Sequence, residues 1–506
     1  MERIVILNFG AQYNQLIARR VREAGVYSEL LPPTSSIETI VGSGLSGIIL
    51  TGGPDSVYDD DARSCLNSIY TLGVPVLGIC YGMQLMSSHF SAKVGPAPTR
   101  EYGKTLTYFD DSPLFKGIPT SITWMSHNDS VLTCPEGFRI ISHTDGCDIC
   151  GIECADKKLF GVQFHPEVAH TEYCKTLFDN FVHGICGCVG EWSMDSLADE
   201  LIEEIRNQVG DCRVVAGLSG GVDSSVAATL VHNAIGDRLT CIFVDHGLLR
   251  KNEAAEVMNY YRNEIGLNVI EVDAKDRFLS KLAGVSEPER KRKIIGEEFI
   301  RVFEEEAKKI GADYLLQGTI YPDVVESGMG GSAVIKSHHN VGGLPDDISF
   351  KGLVEPLRKL FKDEVRRLGE SLGMPAPLVW RQPFPGPGLA IRILGDITEE
   401  KLDILRQSDY ILRDEIAKAG LDRSIWQYFT VFTGMKTVGV MGDKRTYDYI
   451  IGIRAVVSTD AMTVEFAELP YPLLRRISSR IIAETPHVNR VVLDITDKPP
   501  GTIEWE

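Results

Sequence analysis

One pattern recurs along the 506 residues: a short apolar run, then a turn rich in glycine, then a stretch with helical spacing. Val74–Ile79, which runs into the turn Gly78–Gly82, is one instance, and Val214–Leu218 with the turn Ser219–Gly221 is another. Short continuous apolar runs bounded by turns are typical of buried parallel strands, which are covered by helices on both faces. The pattern therefore predicts an α/β protein with doubly wound parallel sheets.

The order of these runs divides the chain into three segments. The strands expected in the first segment are Ile4–Phe9, Gly47–Leu50, Val74–Ile79 and Leu159–Phe164. The strands expected in the second are Val214–Leu218, Thr240–Val244, Asn268–Val272 and Tyr314–Gln317. The turn-rich run Arg381–Gly388 then precedes a mixture of helices and strands that is typical of a small α+β unit. Because a domain holds about 150 residues, we predict domains over residues 1–187, 188–382 and 383–506.

Charge and hydropathy exclude several classes of protein. The 70 acidic residues exceed the 52 basic ones and give a net charge of −18, so we expect no nucleic-acid partner, which would require a basic face. No apolar run approaches the roughly 18 residues that a membrane span needs, and we expect no membrane partner. Met1–Arg3 leads directly into an apolar run without the pattern of a secretory leader, so a cytoplasmic location is expected.

The 11 cysteines are expected to be reduced in that compartment, where they serve as packing residues, metal ligands or nucleophiles. Cys147, Cys150 and Cys154, followed by Cys186 and Cys188, could bind zinc. Their spacing lacks two clean pairs, and packing alone would explain them as well. Both interpretations stay open on the sequence.

The segment Gly78-Ile-Cys80-Tyr-Gly82 has the spacing of a nucleophile elbow, in which a sharp turn between a strand and a helix exposes one side chain. The N-terminus of the following helix would favour a thiolate and offer N–H groups to an oxyanion. A buried structural cysteine between two glycines would have the same local sequence, so this segment alone leaves both interpretations open.

The segment Gly161–Glu167 favours the catalytic interpretation. His165 and Glu167 are two residues apart at the end of a predicted strand, so both project to the same face. Glu167 can then orient the imidazole of His165, and His165 can deprotonate Cys80. The glycine-rich turn Thr51–Pro54 follows another predicted strand, and a second oxyanion donor is expected there.

Four segments resemble the motifs of class I (triad) glutamine amidotransferases and occur in the order expected for that family. They are Gly10–Gln12, Gly52–Pro54, Gly78–Gly82 and Gly161–Glu167. The resemblance covers about residues 1–187. It implies that Cys80 attacks the carboxamide of glutamine, forms a thioester and releases ammonia. It also implies that the backbone amides of Gly53 and Tyr81 hold the oxyanion.

A second glycine-rich turn joins the strand Val214–Leu218 to a helix. Glycines let the backbone approach an anion closely, and the dipole of the helix favours negative charge at its start. No Gly-Lys-Ser/Thr follows, so the turn is not a Walker-type loop. The residues predicted to bind phosphate are Ser219, Gly220, Gly221, Val222, Asp223, Ser224 and Ser225.

This turn resembles the SGGxDS pyrophosphate loop of ATP pyrophosphatases, which cleave ATP to AMP and pyrophosphate. The resemblance implies an adenine nucleotide α-hydrolase-like fold and Mg²⁺ bound with ATP, with Asp223 as a candidate ligand. Asp323 and Glu326 follow a later strand and could also meet Mg²⁺. Lys336 lies in a polar, glycine-rich loop, a candidate lid, and could neutralise phosphate charge.

The segments Phe384–Arg392, Thr437–Arg445 and Lys498–Glu506 resemble the C-terminal dimerisation domain of glutamine-hydrolysing GMP synthetases. With this third domain, the resemblance covers essentially the whole chain. It implies a homodimer in which ATP adenylates the 2-oxo group of xanthosine 5′-monophosphate (XMP) and ammonia from glutamine replaces AMP, giving GMP. The residues implied for XMP are Arg292, Arg392, Asp443, Lys498, Ile503 and Glu504. Arg292 belongs to a run, Arg290–Lys293, that could equally be a solvated helix face.

Two alternatives remain beside this hypothesis. One is another glutamine-dependent, AMP-forming amidoligase, such as a glutamine-dependent NAD synthetase. The glutaminase of that family is a nitrilase-like Glu/Lys/Cys type, which the Cys80 and His165 segments do not resemble. The other is a non-catalytic nucleotide-binding regulator, which the intact triad and phosphate loop disfavour.

Overall fold

The computed structural model describes residues 1–11, 13–326, 350–458 and 464–506. These residues form two compact units, Met1–Leu197 and Ala198–Glu506. In the second unit, one cluster of buried apolar side chains contains Val215 and Phe303 together with Leu405 and Ile477. The second and third predicted domains therefore share a core, and the boundary proposed between residues 382 and 383 stays a prediction, as does the boundary after residue 187.

The strands of the first unit are β1 (Arg3–Leu7), β2 (Tyr27–Leu31), β3 (Leu45–Leu50), β4 (Val76–Ile79), β5 (Val94–Phe109), β6 (Ser121–Val131), β7 (Arg139–His143), β8 (Gly151–Cys154) and β9 (Leu159–Val162). Its helices are α1 (Asn14–Glu23), α2 (Ile37–Val41), α3 (Tyr81–His89) and α4 (Cys174–Asp179), and α5 (Met194–Val209) begins in this unit. A π-helical turn, Asn180–Ile185, continues α4.

The described residues of the first unit form one sheet in the order β2-β1-β3-β4-β9-β8-β7-β5-β6. Strands β2 to β9 in that order are parallel, as the apolar runs predict. The other half, from β8 to β6, is antiparallel and was not predicted. The long strand β6 alternates buried and more exposed residues over most of its length, which is typical of a sheet with one solvated face.

The strands of the second unit are β10 (Val214–Leu218), β11 (Leu239–Asp245), β12 (Val269–Asp273), β13 (Tyr314–Leu316), β14 (Gly352–Val354), β15 (Gln427–Met441), β16 (Lys444–Val457), β17 (Glu465–Phe466) and β18 (Val488–Asp494). Its helices are α6 (Val222–Ile235), α7 (Glu253–Asn259), α8 (Lys275–Leu282), α9 (Pro288–Ile310), α10 (Tyr321–Glu326), α11 (Lys362–Ser371), α12 (Ala376–Val379), α13 (Glu399–Lys418) and α14 (Tyr471–Glu484).

The second unit holds two sheets. The first has the order β12-β11-β10-β13-β14, and all of its pairs are parallel. The strand order reverses at β10, so the turn after β10 lies at the topological switch point where such sheets bind ligands. In the other sheet, β15 and β16 form a long antiparallel hairpin, and β18 pairs with β16 in parallel. The predicted α/β class and the α+β character of the C-terminal part are thus confirmed.

None of the helices in the described parts of the chain combines the length and the apolar character that a membrane span requires.

Candidate functional site

Cys80 occupies the turn between β4 and α3. Its backbone has φ 51° and ψ −108°, and residues other than glycine rarely adopt a positive φ. The amide of Cys80 donates to the carbonyl of Val162 at 2.7 Å, and its carbonyl accepts from the amide of Gln84 at 3.1 Å. A Cβ atom added to Gly78 would lie 2.7 Å from the backbone of Gly82, so the turn closes only with glycine. Close packing therefore holds the strained cysteine in place.

His165 and Glu167 lie next to each other in the interior of the first unit. The imidazole Nδ1 donates to Oε1 of Glu167 at 2.8 Å, and Glu167 is fully buried. A Cβ atom added to Gly52 would lie 3.2 Å from Cε1 of His165 and 3.7 Å from Cβ of Cys80. The predicted base and nucleophile therefore meet beside Gly52.

The charge state of His165 depends on these neighbours. Burial disfavours the imidazolium, but the Glu167 carboxylate and the Cys80 sulfur outweigh burial and raise the pKa of His165 well above its ordinary value. A raised pKa makes the imidazole of His165 a stronger base toward the neighbouring sulfur of Cys80. These side chains can therefore activate the Cys80 sulfur as a nucleophile.

Gly53 and Tyr81, the predicted oxyanion donors, also lie close together. A Cβ atom added to Gly53 would lie 3.3 Å from Cδ1 of Tyr81 and 2.9 Å from the carbonyl oxygen of Phe9. Tyr81 is the first residue of α3, and amides in the first turn of a helix have no partner within the helix. The role of both amides stays a prediction.

Two glutamines beside Cys80 were not predicted. Nε2 of Gln163 lies 3.6 Å from Sγ of Cys80, and Oε1 of Gln163 accepts from Nε2 of Gln84 at 3.2 Å. Nε2 of Gln84 also contacts the carbonyl of Asp129 at 2.9 Å. Gln163 precedes His165 by two residues in the bend that follows β9, so no strand periodicity marks it as a neighbour of Cys80. No local signal marked Gln84.

In the second unit, the turn Ser219–Gly221 leads into α6 at the carboxyl end of β10. Gly220 has φ 75°, which glycine adopts without strain, and Gly221 caps the helix with φ −80°. The hydroxyls of Ser219 and Ser224 lie 3.3 Å apart on the exposed side of the turn. Ser225 is buried beneath it, and its hydroxyl contacts the carbonyl of Gly221 at 2.7 Å and the hydroxyl of Tyr261 at 2.8 Å.

Val222 and Asp223 begin the helix. Val222 is buried, whereas the Asp223 carboxylate is half-buried and accepts from Nζ of Lys362 through Oδ2 at 2.5 Å. The second oxygen, Oδ1, is buried without a hydrogen-bond partner. An unpaired carboxylate oxygen next to a helix N-terminus fits the ligand preference of Mg²⁺. Lys362, at the start of α11, was not predicted, since no local pattern distinguishes it from other lysines.

Arg381 also contacts the turn. Its Nη1 donates to the carbonyl of Gly220 at 3.1 Å, and its Nη2 is paired with the buried Glu253. Burial lowers the pKa of Arg381 to about 9. In the sequence, Arg381 only begins the turn-rich run that precedes the third segment. The structure places it under the phosphate-loop candidate instead.

Of the other residues predicted around ATP, only some lie within the described part of the chain. Asp323 lies in α10, and its Oδ2 accepts from the amide of Ile320 at 3.0 Å. Glu326 is the last residue of α10, but its side chain lies outside the described residues, as does the whole of Lys336. Their predicted roles stay predictions.

Two of the residues predicted for XMP form a buried ion pair. Nε and Nη2 of Arg392 donate to the two carboxylate oxygens of Glu504 at 3.0 and 2.8 Å. The Arg392 guanidinium is fully buried and lies 3.9 Å from the ring centroid of Phe429. Gln427, the first residue of β15, also donates to Glu504, at 3.1 Å.

The C-terminal tail is ordered by similar contacts. Lys498 exchanges backbone hydrogen bonds with Val464 at 2.8 and 3.1 Å, and Ile503 is half-buried. Arg292 donates to the backbone carbonyl of Glu506, and the fully buried Lys291 is paired with the Glu506 side chain. The run Arg290–Lys293 is therefore only partly a solvated face.

Asp443 lies apart from this group. It is exposed in the turn between β15 and β16, with φ 61°. Gln427, which touches Glu504, is at the opposite end of β15, and a 15-residue strand extends over roughly 45 Å. The structure thus brings Arg392 and Glu504 together but leaves Asp443 at the distant end of the hairpin.

The cysteine-rich run does not form a cluster of thiols. All 11 cysteines are free, and Cys147, Cys150 and Cys154 are buried. Within the described residues, the one group of three possible metal ligands joins Cys147 to Glu101 and His127 rather than to another cysteine. A zinc site made of cysteines alone therefore has no support there.

Comparison with known families matches three parts of the chain. The family described as "Glutamine amidotransferase class-I" matches residues 5–185, and "NAD synthase" matches residues 194–296. The family described as "GMP synthase C terminal domain" matches residues 414–505. Each match falls on one of the three predicted segments.

Curated relatives match the chain over its full length. Proteins described as "GMP synthase [glutamine-hydrolyzing]" from Caldicellulosiruptor saccharolyticus and Geobacillus kaustophilus are each 59% identical to it, over 100% of this chain and 99% of theirs. The protein of the same description from Enterococcus faecalis is also 59% identical, over 100% of this chain and 98% of its own.

Proposed function

The chain belongs to the family of glutamine-hydrolysing GMP synthases, and on that premise we propose that it converts XMP to GMP. ATP adenylates the 2-oxo group of the purine with loss of pyrophosphate, and ammonia then displaces AMP. Each turnover consumes one XMP, one ATP, one glutamine and one water. It gives one GMP, one AMP, one pyrophosphate and one glutamate. One observation carries the proposal: the chain combines an elbow cysteine beside a His–Glu pair with a glycine turn at the head of a helix.

Cys80 is the proposed nucleophile of the glutaminase. His165 takes the thiol proton, the sulfur attacks the carboxamide carbon, and His165 then protonates the departing ammonia. Water hydrolyses the thioester to glutamate. Glu167 accepts a hydrogen bond from Nδ1–H of His165, which leaves Nε2 for these proton transfers. The amides of Gly53 and Tyr81 are proposed to stabilise the oxyanion.

The loop Ser219–Ser225 is the site proposed for the phosphates of ATP. Amides at the start of α6 and the helix dipole favour an anion there, and Lys362 adds positive charge. The Mg²⁺ that accompanies ATP neutralises phosphate charge when bound, and the unpaired Oδ1 of Asp223 supports this residue as its ligand. Asp323 and Glu326 are proposed as further ligands, and Lys336 as a lid cation.

The XMP site is proposed at the C-terminal tail. The buried Arg392–Glu504 pair and the contacts of Arg292 with Glu506 support an ordered site. Lys498 and Ile503 belong to the same tail and are proposed to line it. Asp443 lies at the far end of the hairpin in the same chain, so it is kept as a separate prediction.

We further propose a cytoplasmic homodimer. The hairpin of β15 and β16 carries an exposed apolar pair of cross-strand neighbours, Val438 (55% exposed) and Tyr447 (65%), next to Val440 (72%). Contiguous exposed apolar side chains mark association surfaces. Light scattering should therefore give twice the monomer mass, and Val438→Glu with Val440→Lys should give the monomer mass. A parent chain that is monomeric would reject the dimer.

The separation of the two reactions is tested by Cys80→Ala. We expect this variant to lose GMP synthesis with glutamine and to keep it with ammonium salts, because only the ammonia source is removed. The measurement is the rate of GMP formation with each nitrogen source. A variant that fails equally with both sources would contradict two separate sites.

The substrate is tested by a product assay. With ATP, Mg²⁺, glutamine and XMP, we expect AMP, pyrophosphate and GMP in equal amounts. Nicotinic acid adenine dinucleotide in place of XMP should give none of them. Absence of AMP and pyrophosphate with XMP would overturn the assignment, and their appearance with the dinucleotide would favour the NAD synthetase alternative.

A further inference from the structure

Three possible metal ligands meet in the antiparallel half of the first sheet, outside the residues proposed for catalysis. Glu101 on β5 and His127 on β6 are directly paired across the two strands, and Cys147 approaches from the loop between β7 and β8. One ligand atom of each lies within 4.8 Å of the others, and all three residues are less than 9% exposed. Three segments distant in sequence thus place an oxygen, a nitrogen and a sulfur in one buried spot.

The hydrogen bonds of His127 leave its second ring nitrogen, Nε2, facing a carboxylate oxygen of Glu101. Nδ1 lies 3.1 Å from the carbonyl of Asp129, and a carbonyl can only accept, so Nδ1 carries a proton. Nε2 lies 3.3 Å from Oε2 of Glu101. In the neutral ring, the lone pair of Nε2 therefore faces a carboxylate oxygen. Such a contact is repulsive unless a proton or a cation lies between the two atoms.

A metal ion satisfies this contact and would also bind the Cys147 thiol, which otherwise donates to the carbonyl of Ile149 at 3.5 Å. By contrast, a proton joins only His127 and Glu101. At Zn–N and Zn–O distances near 2 Å, the edge of a tetrahedron is about 3.3 Å, which matches the separation of Nε2 and Oε2. Carboxylate, imidazole and thiolate together suit Zn²⁺. A metal-bound His usually donates its other N–H to a carbonyl, as Nδ1 does here.

The surrounding loop orients the other two ligands. The hydroxyl of Thr144 donates to Oε1 of Glu101 at 2.8 Å and accepts from the amide of Cys147 at 2.9 Å. A Cβ atom added to Gly146 would lie 3.0 Å from that same Oε1, so glycine allows the loop to approach the carboxylate. The outer hydrogen bonds that metal sites need are thus already made.

We propose that Glu101, His127 and Cys147 bind one Zn²⁺ ion, with a water molecule as the fourth ligand, and that the ion fastens the loop before β8 to β5 and β6. The site is structural and separate from the Mg²⁺ that accompanies ATP. It adjoins the glutaminase residues, because the carbonyl of Asp129 accepts from both His127 and Gln84.

The test uses the full-length chain carrying Cys80→Ser, so that the reactive thiol does not contribute, after removal of metal with a chelator under reducing conditions. Co²⁺ replaces Zn²⁺ as a spectroscopic probe. We expect one equivalent to bind with a thiolate-to-cobalt charge-transfer band and the strong visible bands of tetrahedral Co²⁺. Zn²⁺ should abolish these bands by competition.

Cys147→Ser should remove the charge-transfer band, and the matched change Cys150→Ser, at a buried thiol outside the ligand set, should keep it. Circular dichroism checks that both variants fold. If Cys147→Ser does not fold, the affinity of Thr144→Val for Co²⁺ is measured instead. It should fall by about 10–100-fold, because the variant loses an outer hydrogen bond of the metal site. A folded parent chain without a thiolate–cobalt band, or an equal response of Cys147→Ser and Cys150→Ser, would overturn the proposal in favour of a metal-free ion pair.

Discussion

The turn at Cys80 and the turn at Ser219–Gly221 share one local design and differ in how they are packed. Each follows a parallel strand and opens a helix at the carboxyl edge of its sheet. At the first, a Cβ atom added to Gly82 would lie 2.6 Å from Cβ of Leu50, and Cys80 itself takes a positive φ. At the second, a Cβ atom added to Gly221 would meet only the hydroxyl of Ser219, at 3.3 Å.

This difference separates two uses of one architecture. The crowded turn fixes a single side chain against a buried base, which suits covalent catalysis, where small misplacements are costly. The open turn leaves hydroxyls and amides facing outward, which suits an anion that must enter and leave. If packing assigns these roles, changes in the two turns should have unequal effects.

The largest effect is expected at the buried base. Burial opposes the imidazolium of His165, and the Glu167 charge is a main reason that its pKa is nevertheless raised. Glu167→Gln should slow the glutamine-dependent reaction by about 10²–10⁴-fold and leave the ammonia-dependent reaction intact. Because His165 would lose its proton at lower pH, the alkaline limb of the glutaminase profile should move to lower pH. An unmoved limb would contradict this role for Glu167.

An intermediate effect is expected from filling the crowded turn. Gly82→Ala pushes a methyl group into Leu50 and should destabilise the first unit by about 1–3 kcal/mol. Gly221→Ala, the matched change in the open turn, should cost less than about 1 kcal/mol. Hydrogen exchange of peptides within each unit measures both, since the two units need not unfold together. Equal losses would show that the two turns are packed alike.

The smallest difference is expected within the open turn. Gly220 has φ 75° and is buried, so Gly220→Ala should cost about 1–2 kcal/mol of local stability. Gly221 is exposed, so Gly221→Ala should instead raise the KM for ATP while local stability changes little. The comparison of KM with hydrogen exchange separates the two. If Gly220→Ala and Gly221→Ala raise the KM for ATP equally and neither speeds hydrogen exchange, Gly220 would be no more tightly packed than Gly221.

The parallel strands and both turns could be predicted because their signals are local. The run Val214–Leu218, for example, is β10 to the residue, and the predicted Val74–Ile79 contains β4. The antiparallel strands β5 and β6 were missed because neither contains a continuous apolar run: β5 is interrupted by Pro96, Pro98 and Gly103, and most residues of β6 are polar. Their pairing joins residues such as Glu101 and His127 that are 26 positions apart.

The predicted site residues divide in the same way. His165 and Glu167 are two residues apart just beyond β9, so their contact is local in sequence, but it is made in a turn and not in the extended strand that was expected. Lys362 and Asp223 are 139 positions apart, and only the assembled second unit places one beside the other. Arg392 and Glu504 were found through a resemblance, whereas their distance from Asp443 depends on the length of a single hairpin.

The sequence by itself determined the residue types that can do chemistry, the turns that carry them and the order of three segments. These features depend on neighbours a few positions apart, whose geometry is fixed by the backbone. The tertiary structure alone decided which turn is crowded and which is open, which glutamines flank Cys80, and that Cys147 meets a histidine and a glutamate rather than other cysteines. Those outcomes depend on sheet order and register, which bring together residues far apart in the chain and which no local pattern encodes.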